Sequence, residues 1–179
     1  MDALLLALLL GLALDQGDRS QRIARALGDG GAPIWPVVLA VILGAALSAA
    51  LGQLLAPYLP GPSGLLFFAV TLVVGALGLL VPMRDSRAGG TWTGIGRLFA
   101  HRLGDGASFL LVGIAGMTGL GWATALGGAI GGLAALLPPL LAGATYERAV
   151  PLRVLRPILG GMLLLAGLGC AVRALGLAG

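Results

Sequence analysis

Long apolar runs alternate with short polar connections throughout the chain. Six runs stand out, at roughly 3–27, 34–56, 64–83, 92–116, 120–143 and 155–175. Each has about 20 to 25 residues, enough for a helix to cross a hydrocarbon core of ~30 Å with some tilt. They are continuous, without the ten-residue alternation of a membrane β-strand. The connections carry turn formers: Gly28 to Pro36, Pro57 to Pro62, Met83 to Gly90, Thr118 to Gly121 and Thr145 to Pro157. Trp35, Trp92 and Trp122 open runs, and Tyr58 and Tyr146 follow them. Such amphipathic rings favour the membrane interface and anchor helix ends there. The pattern predicts an all-α integral membrane protein with six transmembrane helices in a single membrane domain, 1–179.

Composition narrows this further. Only 10% of the residues are charged and 58% are hydrophobic, against about 25% charged in soluble domains. The net charge is +4, and every basic residue is Arg. The arginines gather between apolar runs, which points to topology rather than nucleic-acid binding. Arg22 and Arg25, then Arg84, Arg87 and Arg97, then Arg148, Arg153 and Arg156 fall on one side; Arg173 falls on the other. The positive-inside rule places the Arg-rich connections in the cytoplasm and both termini outside. Arginine to the exclusion of lysine, amid abundant Gly, Ala and Leu, suggests a GC-rich bacterial genome and hence a bacterial inner membrane. The first run follows Asp2 with no basic residue before it, so it reads as a membrane helix rather than a cleaved signal. Cys170 is alone, which permits no internal disulfide and no zinc pattern. There is no phosphate loop or Ser–His–Asp arrangement, and one His cannot build a multi-His metal site. No enzymatic activity and no resident cofactor are therefore expected.

The chemistry lies in the first run. Asp15-Gln-Gly-Asp-Arg-Ser20 interrupts apolar sequence, and acids inside a membrane-length segment mark a functional site by default. On a continuous helix Asp15 and Asp18 share a face, with Arg19 and Arg22 each four residues beyond an acid. Gly17 lets a backbone approach closely or the helix loosen. Carboxylate, hydroxyl and carbonyl oxygens, here from Asp15, Asp18, Ser20 and Gln21, are ligands for hard cations. The plainer alternative is that the two Asp–Arg pairs neutralise each other.

A partial copy lies 87 residues on. Arg102-Leu-Gly-Asp-Gly-Ala107 keeps Gly104 and Asp105, but has Arg102 where Asp15 stands and Gly106 and Ala107 for Arg19 and Ser20. His101 precedes Asp105 by four residues and reads as packing or as a proton relay. The following runs share Gly44-Ala-Ala-Leu-Ser-Ala-Ala and Gly128-Ala-Ile-Gly-Gly-Leu-Ala. Two three-helix repeats, 1–83 and 91–179, must then insert upside down relative to each other, bringing the two motifs together near the midplane. Gly127, Gly128, Gly131 and Gly132 read as small faces for close helix packing.

These residues resemble the Gdt family of membrane proteins, which includes the Golgi manganese transporter and bacterial manganese exporters. That family carries Glu-x-Gly-Asp-Lys-Ser/Thr once per three-helix repeat. Asp15-Gln-Gly-Asp-Arg-Ser20 matches with conservative changes, and the likeness spans the chain in length, helix count and repeat spacing. The resemblance implies exchange of Mn²⁺ or Ca²⁺ for protons, with Asp15, Asp18 and Asp105 as metal ligands and Ser20 and Gln21 assisting. Arg19 takes the place of the family's lysine. Arg102 departs from the pattern. Three acids against Arg19 and Arg102 leave one negative charge in excess, where the family pattern leaves two. Weaker divalent binding, a changed cargo, an anion carrier using the arginines, or a transport-inactive scaffold with Arg102 in the cation position remain open. The expected partners are the lipid bilayer, the metal ion and the proton, with no nucleic acid; a homo-oligomer is left open.

Overall fold

The computed structural model describes residues 2–16, 18–81, 90–143, 145–146 and 152–177. Gly17, Arg84, Arg87, Arg148 and the side chain of Arg153 lie outside the described residues. All regular structure in that set is helical: α1 Ala3–Asp15, α2 Arg19–Asp29, α3 Ile34–Leu55, α4 Pro62–Leu80, α5 Thr91–Gly104, α6 Gly106–Thr118, α7 Gly121–Ala142 and α8 Leu152–Ala174. One 3₁₀ turn, Ala56–Tyr58, follows α3.

Helices α3, α4, α7 and α8 are long and apolar enough to cross a membrane; α5 and α6 together make a fifth crossing if the bent pair counts as one. The chain is thus a multi-pass, all-helical membrane protein. Among the described residues, four or five crossings qualify against the six expected, because the first and fourth runs are each broken in two. At 1.5 Å per residue the 13-residue α1 is roughly 20 Å long, too short to span alone. Its continuation, α2, is polar on one face and buries Ser20, Gln21, Ile23, Ala24 and Leu27. The fourth run bends by 43° between Gly104 and Gly106. In both runs the break falls on the acidic motif.

Steric contacts at the glycines give the register of the bundle. A Cβ on Gly127 would strike the Leu4 carbonyl, one on Gly131 the Leu8 carbonyl, and one on Gly28 the Leu140 carbonyl. Helices α1 and α2 therefore run in succession along α7, parallel to it. A Cβ on Gly44 would lie 3.2 Å from Arg102 Cβ, and one on Gly52 would strike the Val112 carbonyl. Helices α5 and α6 therefore run in succession along α3. Helix α7 runs antiparallel to α3, with Gly132 near Val41 and Gly121 near Gln53. Helix α8 runs antiparallel to α4, with Gly160 near Leu80 and Gly167 near Val73.

Two apolar cores result. One joins Ala7 and Leu14 of α1 to Phe68 and Leu72 of α4 and Leu110 and Ile114 of α6. The other joins Ile23 and Leu27 of α2 to Val37 and Val41 of α3, Leu98 of α5 and Leu136 of α7. The helix breaks fall between them. Trp35, Trp92, Trp122 and Tyr58 are exposed, as interface anchors require.

The glycine contacts make a direct prediction. A methyl at Gly52 would also lie 2.7 Å from Ala115 Cβ, against backbone and side chain that are both fixed. Gly52→Ala should lower stability by about 1–3 kcal/mol through overpacking. Gly169, whose added Cβ meets nothing within 4 Å, should accept alanine without loss. Thermal unfolding of the two variants in detergent checks the contrast.

Candidate functional site

Four half-helix ends meet where the breaks lie. The carboxyl ends of α1 and α5 bring Asp15, His101 and Arg102. The amino ends of α2 and α6 bring Asp18 and Asp105 as N-cap residues. Acids at helix N-termini meet the positive ends of the dipoles, and Arg102 meets a negative one. Gly17 aside, the motif breaks the helix because Asp is a poor interior helix former and a good N-cap.

The side chains at this junction are buried: Asp15 1%, Arg102 2%, Asp105 5% and Asp18 8% exposed, with Ser20 wholly enclosed. Arg102 Nη1 donates to both oxygens of Asp15, at 2.6 Å to Oδ1 and 2.5 Å to Oδ2. The same nitrogen lies 3.8 Å from Asp105 Oδ2. Asp105 Oδ2 also accepts from Ser20 Oγ at 3.4 Å, while its Oδ1 caps α6 by accepting from the Ser108 amide at 2.8 Å. Ser108 Oγ donates to the Arg102 carbonyl. His101 Nε2 lies 3.4 Å from Asp18 Oδ2. Asp18 makes no side-chain cap to α2 and turns to His101 instead.

The fold thus brings together Asp15, Asp18, Ser20, His101, Arg102 and Asp105. For Asp15 it sets aside the alternative of local pairing with Arg19. Asp15 and Asp18 flank a break, and the partner of Asp15 is Arg102, its counterpart in the second motif. Arg19 is exposed on the surface of α2, outside the buried set, though its charge reaches His101. With all three ionised and His101 neutral, the buried carboxylates exceed the one buried guanidinium by two charges; the partly buried Arg156 acts on Asp18 from outside that set. Gly104 is exposed with open space around it and serves no close approach. Among the described residues no three His, Cys, Asp or Glu side chains form a compact ligand group.

Gln21 is buried beside this cluster, and the reason is legible in α7. Pro139 has no N–H, so the carbonyl four residues back, on Ala135, is free of its helical partner. Gln21 Nε2 donates to that carbonyl at 3.0 Å. It also lies 3.4 Å from Gln16 Oε1 and from the Tyr146 hydroxyl, which itself donates to Gln16 Oε1 at 3.1 Å. Tyr146 therefore does more than anchor a helix end. The sequence reading missed Gln16, Ser108 and Tyr146; only Ser108, three residues after an N-cap acid, carried a recognisable signal.

No family model, curated protein or solved structure matches the chain.

Proposed function

We propose that this chain is a cation carrier of a bacterial inner membrane that exchanges its cargo for protons, and that the junction of broken helices is its transport site. The observation that carries this reading is the burial of three carboxylates against one guanidinium where four half-helix ends meet. Broken helices at a repeat interface are how carriers hold ions away from lipid. Buried charge of this kind is expensive to retain without a task.

Asp18 and Asp105 are the ligands proposed for the mobile ion, with Ser20 assisting; Asp15 is held by Arg102. Two negative charges in excess suit a single divalent cation, and the likeness to the Gdt motif favours Mn²⁺ or Ca²⁺. Protons on these groups, with His101 as a further acceptor, would balance the empty site. The registers support two inverted three-helix repeats: α3 is antiparallel to α7, α4 is antiparallel to α8, and each broken pair lies along the second helix of the other half. Rocking one repeat against the other would alternate access. With α1 and α2 counted together as a sixth crossing, the positive-inside rule favours cytoplasmic Arg-rich connections and both termini outside.

A second reading is favoured by the tight Arg102–Asp15 contact: a relative in which arginine has replaced the cargo and transport is lost. Titration of the detergent-purified protein with Mn²⁺ and Ca²⁺ separates the two. A carrier binds in its native form and loses binding in Asp18→Asn. A locked relative binds neither ion until Arg102→Glu restores the acid. Native protein and Arg102→Glu both failing to bind would refute the divalent assignment.

A further inference from the structure

Helix α7 carries glycine at four neighbouring positions, and they have different neighbours. Added methyl groups at Gly127 and Gly131 would meet the backbone of α1, at the Leu4 and Leu8 carbonyls. One at Gly128 would meet the Leu111 side chain at 2.6 Å. These three serve close packing of α7 on α1 and α6. Gly132 is different. Its added Cβ would lie 2.6 Å from Arg102 Nη2 and 3.3 Å from Asp15 Oδ2, with Val41 Cγ1 at 3.0 Å. Across the cluster, Gly44 of α3 leaves room for Arg102 at the other end of its side chain, 3.2 Å from Arg102 Cβ.

We infer that Gly132 is a positioning residue for the buried charge cluster: with Gly44 at the Cβ end it forms a slot fitted to the Arg102 side chain, and at the other end it fixes the guanidinium on Asp15. Glycine is, after proline, the poorest helix former, so its place in mid-helix needs a steric reason. The guanidinium is the far end of a flexible side chain, and in open space it would swing aside. Here it cannot do so freely. Arg102 is 2% exposed, and its Nη1 is bound to both oxygens of Asp15. Any retreat from a methyl at position 132 loosens that contact or drives the head group toward Asp105. The slot thereby decides which carboxylates remain for a mobile cation. With Arg102 seated, Asp15 is taken and Asp18 and Asp105 remain; with it displaced, the division changes. The steric claim stands on the geometry alone, and only this last consequence rests on the transport reading.

The test reads Asp15 directly. The purified full chain in detergent is treated with dicyclohexylcarbodiimide, which couples to protonated carboxyl groups in apolar surroundings and spares carboxylates held by a cation, and labelling at Asp15 is followed by mass spectrometry. Native protein should be protected, and Gly132→Ala should label several-fold more. Gly131→Ala lowers the melting temperature by crowding α1 but leaves Asp15 protected. Equal labelling of native and Gly132→Ala protein, or equal labelling of the two alanine variants, would overturn the assignment. Should Gly132→Ala fail to fold, the same substitution is made on an Asp15→Asn, Arg102→Met background, where the slot has no guanidinium to hold and no buried charge is stranded. There the triple variant should melt with the Asp15→Asn, Arg102→Met protein, and a full penalty in that background would equally overturn it. Neither readout requires transport, so a silent flux assay leaves this inference standing or falling by itself.

Discussion

Arg102→Met should unfold this protein more readily than any surface substitution, with a loss of about 3–5 kcal/mol, because it strands a buried carboxylate. Asp15 is 1% exposed and has its two oxygens on Arg102. Methionine fills the space but supplies no donor. Asp15→Leu alone leaves the guanidinium with Asp105, 3.8 Å away, and should cost less. The pair behaves differently. Replacing both partners with apolar residues of similar volume is often neutral or stabilising, so Asp15→Leu with Arg102→Met should recover most of the lost melting temperature. It removes one charge of each sign, so the excess of two negative charges persists. The double variant should therefore keep measurable cation binding. A double variant as unstable as Arg102→Met alone would show that the ion pair is not the unit described.

Asp105 should lose two functions that can be separated by choice of substitution. Its Oδ1 caps α6 through the Ser108 amide, and its Oδ2 meets Ser20 and approaches Arg102. Asparagine retains an acceptor for the cap, whereas alanine has none, and loss of an N-cap costs about 0.5–2 kcal/mol. Asp105→Asn should stay folded with a melting temperature near that of the native chain, yet lose cation exchange. Asp105→Ala should lose both. Equal flux in native and Asp105→Asn protein would remove Asp105 from the ligand set.

How far the sequence carried this account depended on whether a feature was local. Ends set by a proline, a glycine or a tryptophan were legible: Ile34–Leu55 and Gly121–Ala142 lie within two residues of the runs that predicted them. The helix breaks were not, because a hydropathy window averages across Asp15 and Asp18 and reports one long segment. Local spacing misled the pairing of Asp15. Arg19 stands at helical distance from it, but the helix breaks between them and that spacing no longer governs. The true partner of Asp15 comes from 87 residues away. Registering the motifs against each other did place Asp18, Asp105, Arg102 and His101 in one neighbourhood. What it could not give was which donor meets which carboxylate. That depends on how α3 and α7 crowd Arg102, and two Gly-Gly pairs one helical turn apart do not say which glycine faces it. The role of Tyr146 was hidden for the same reason, since it depends on a carbonyl released by Pro139 on another helix.

The most direct trial is cation-driven proton movement in proteoliposomes of the native chain, with a pH dye enclosed and Mn²⁺ or Ca²⁺ added outside. Either ion, entering down its gradient in exchange for protons, should alkalinise the lumen in both orientations of insertion, the signal should saturate with ion concentration, and Asp105→Asn should abolish it. Proton movement indistinguishable from that of empty liposomes, or unchanged in Asp105→Asn, would contradict it.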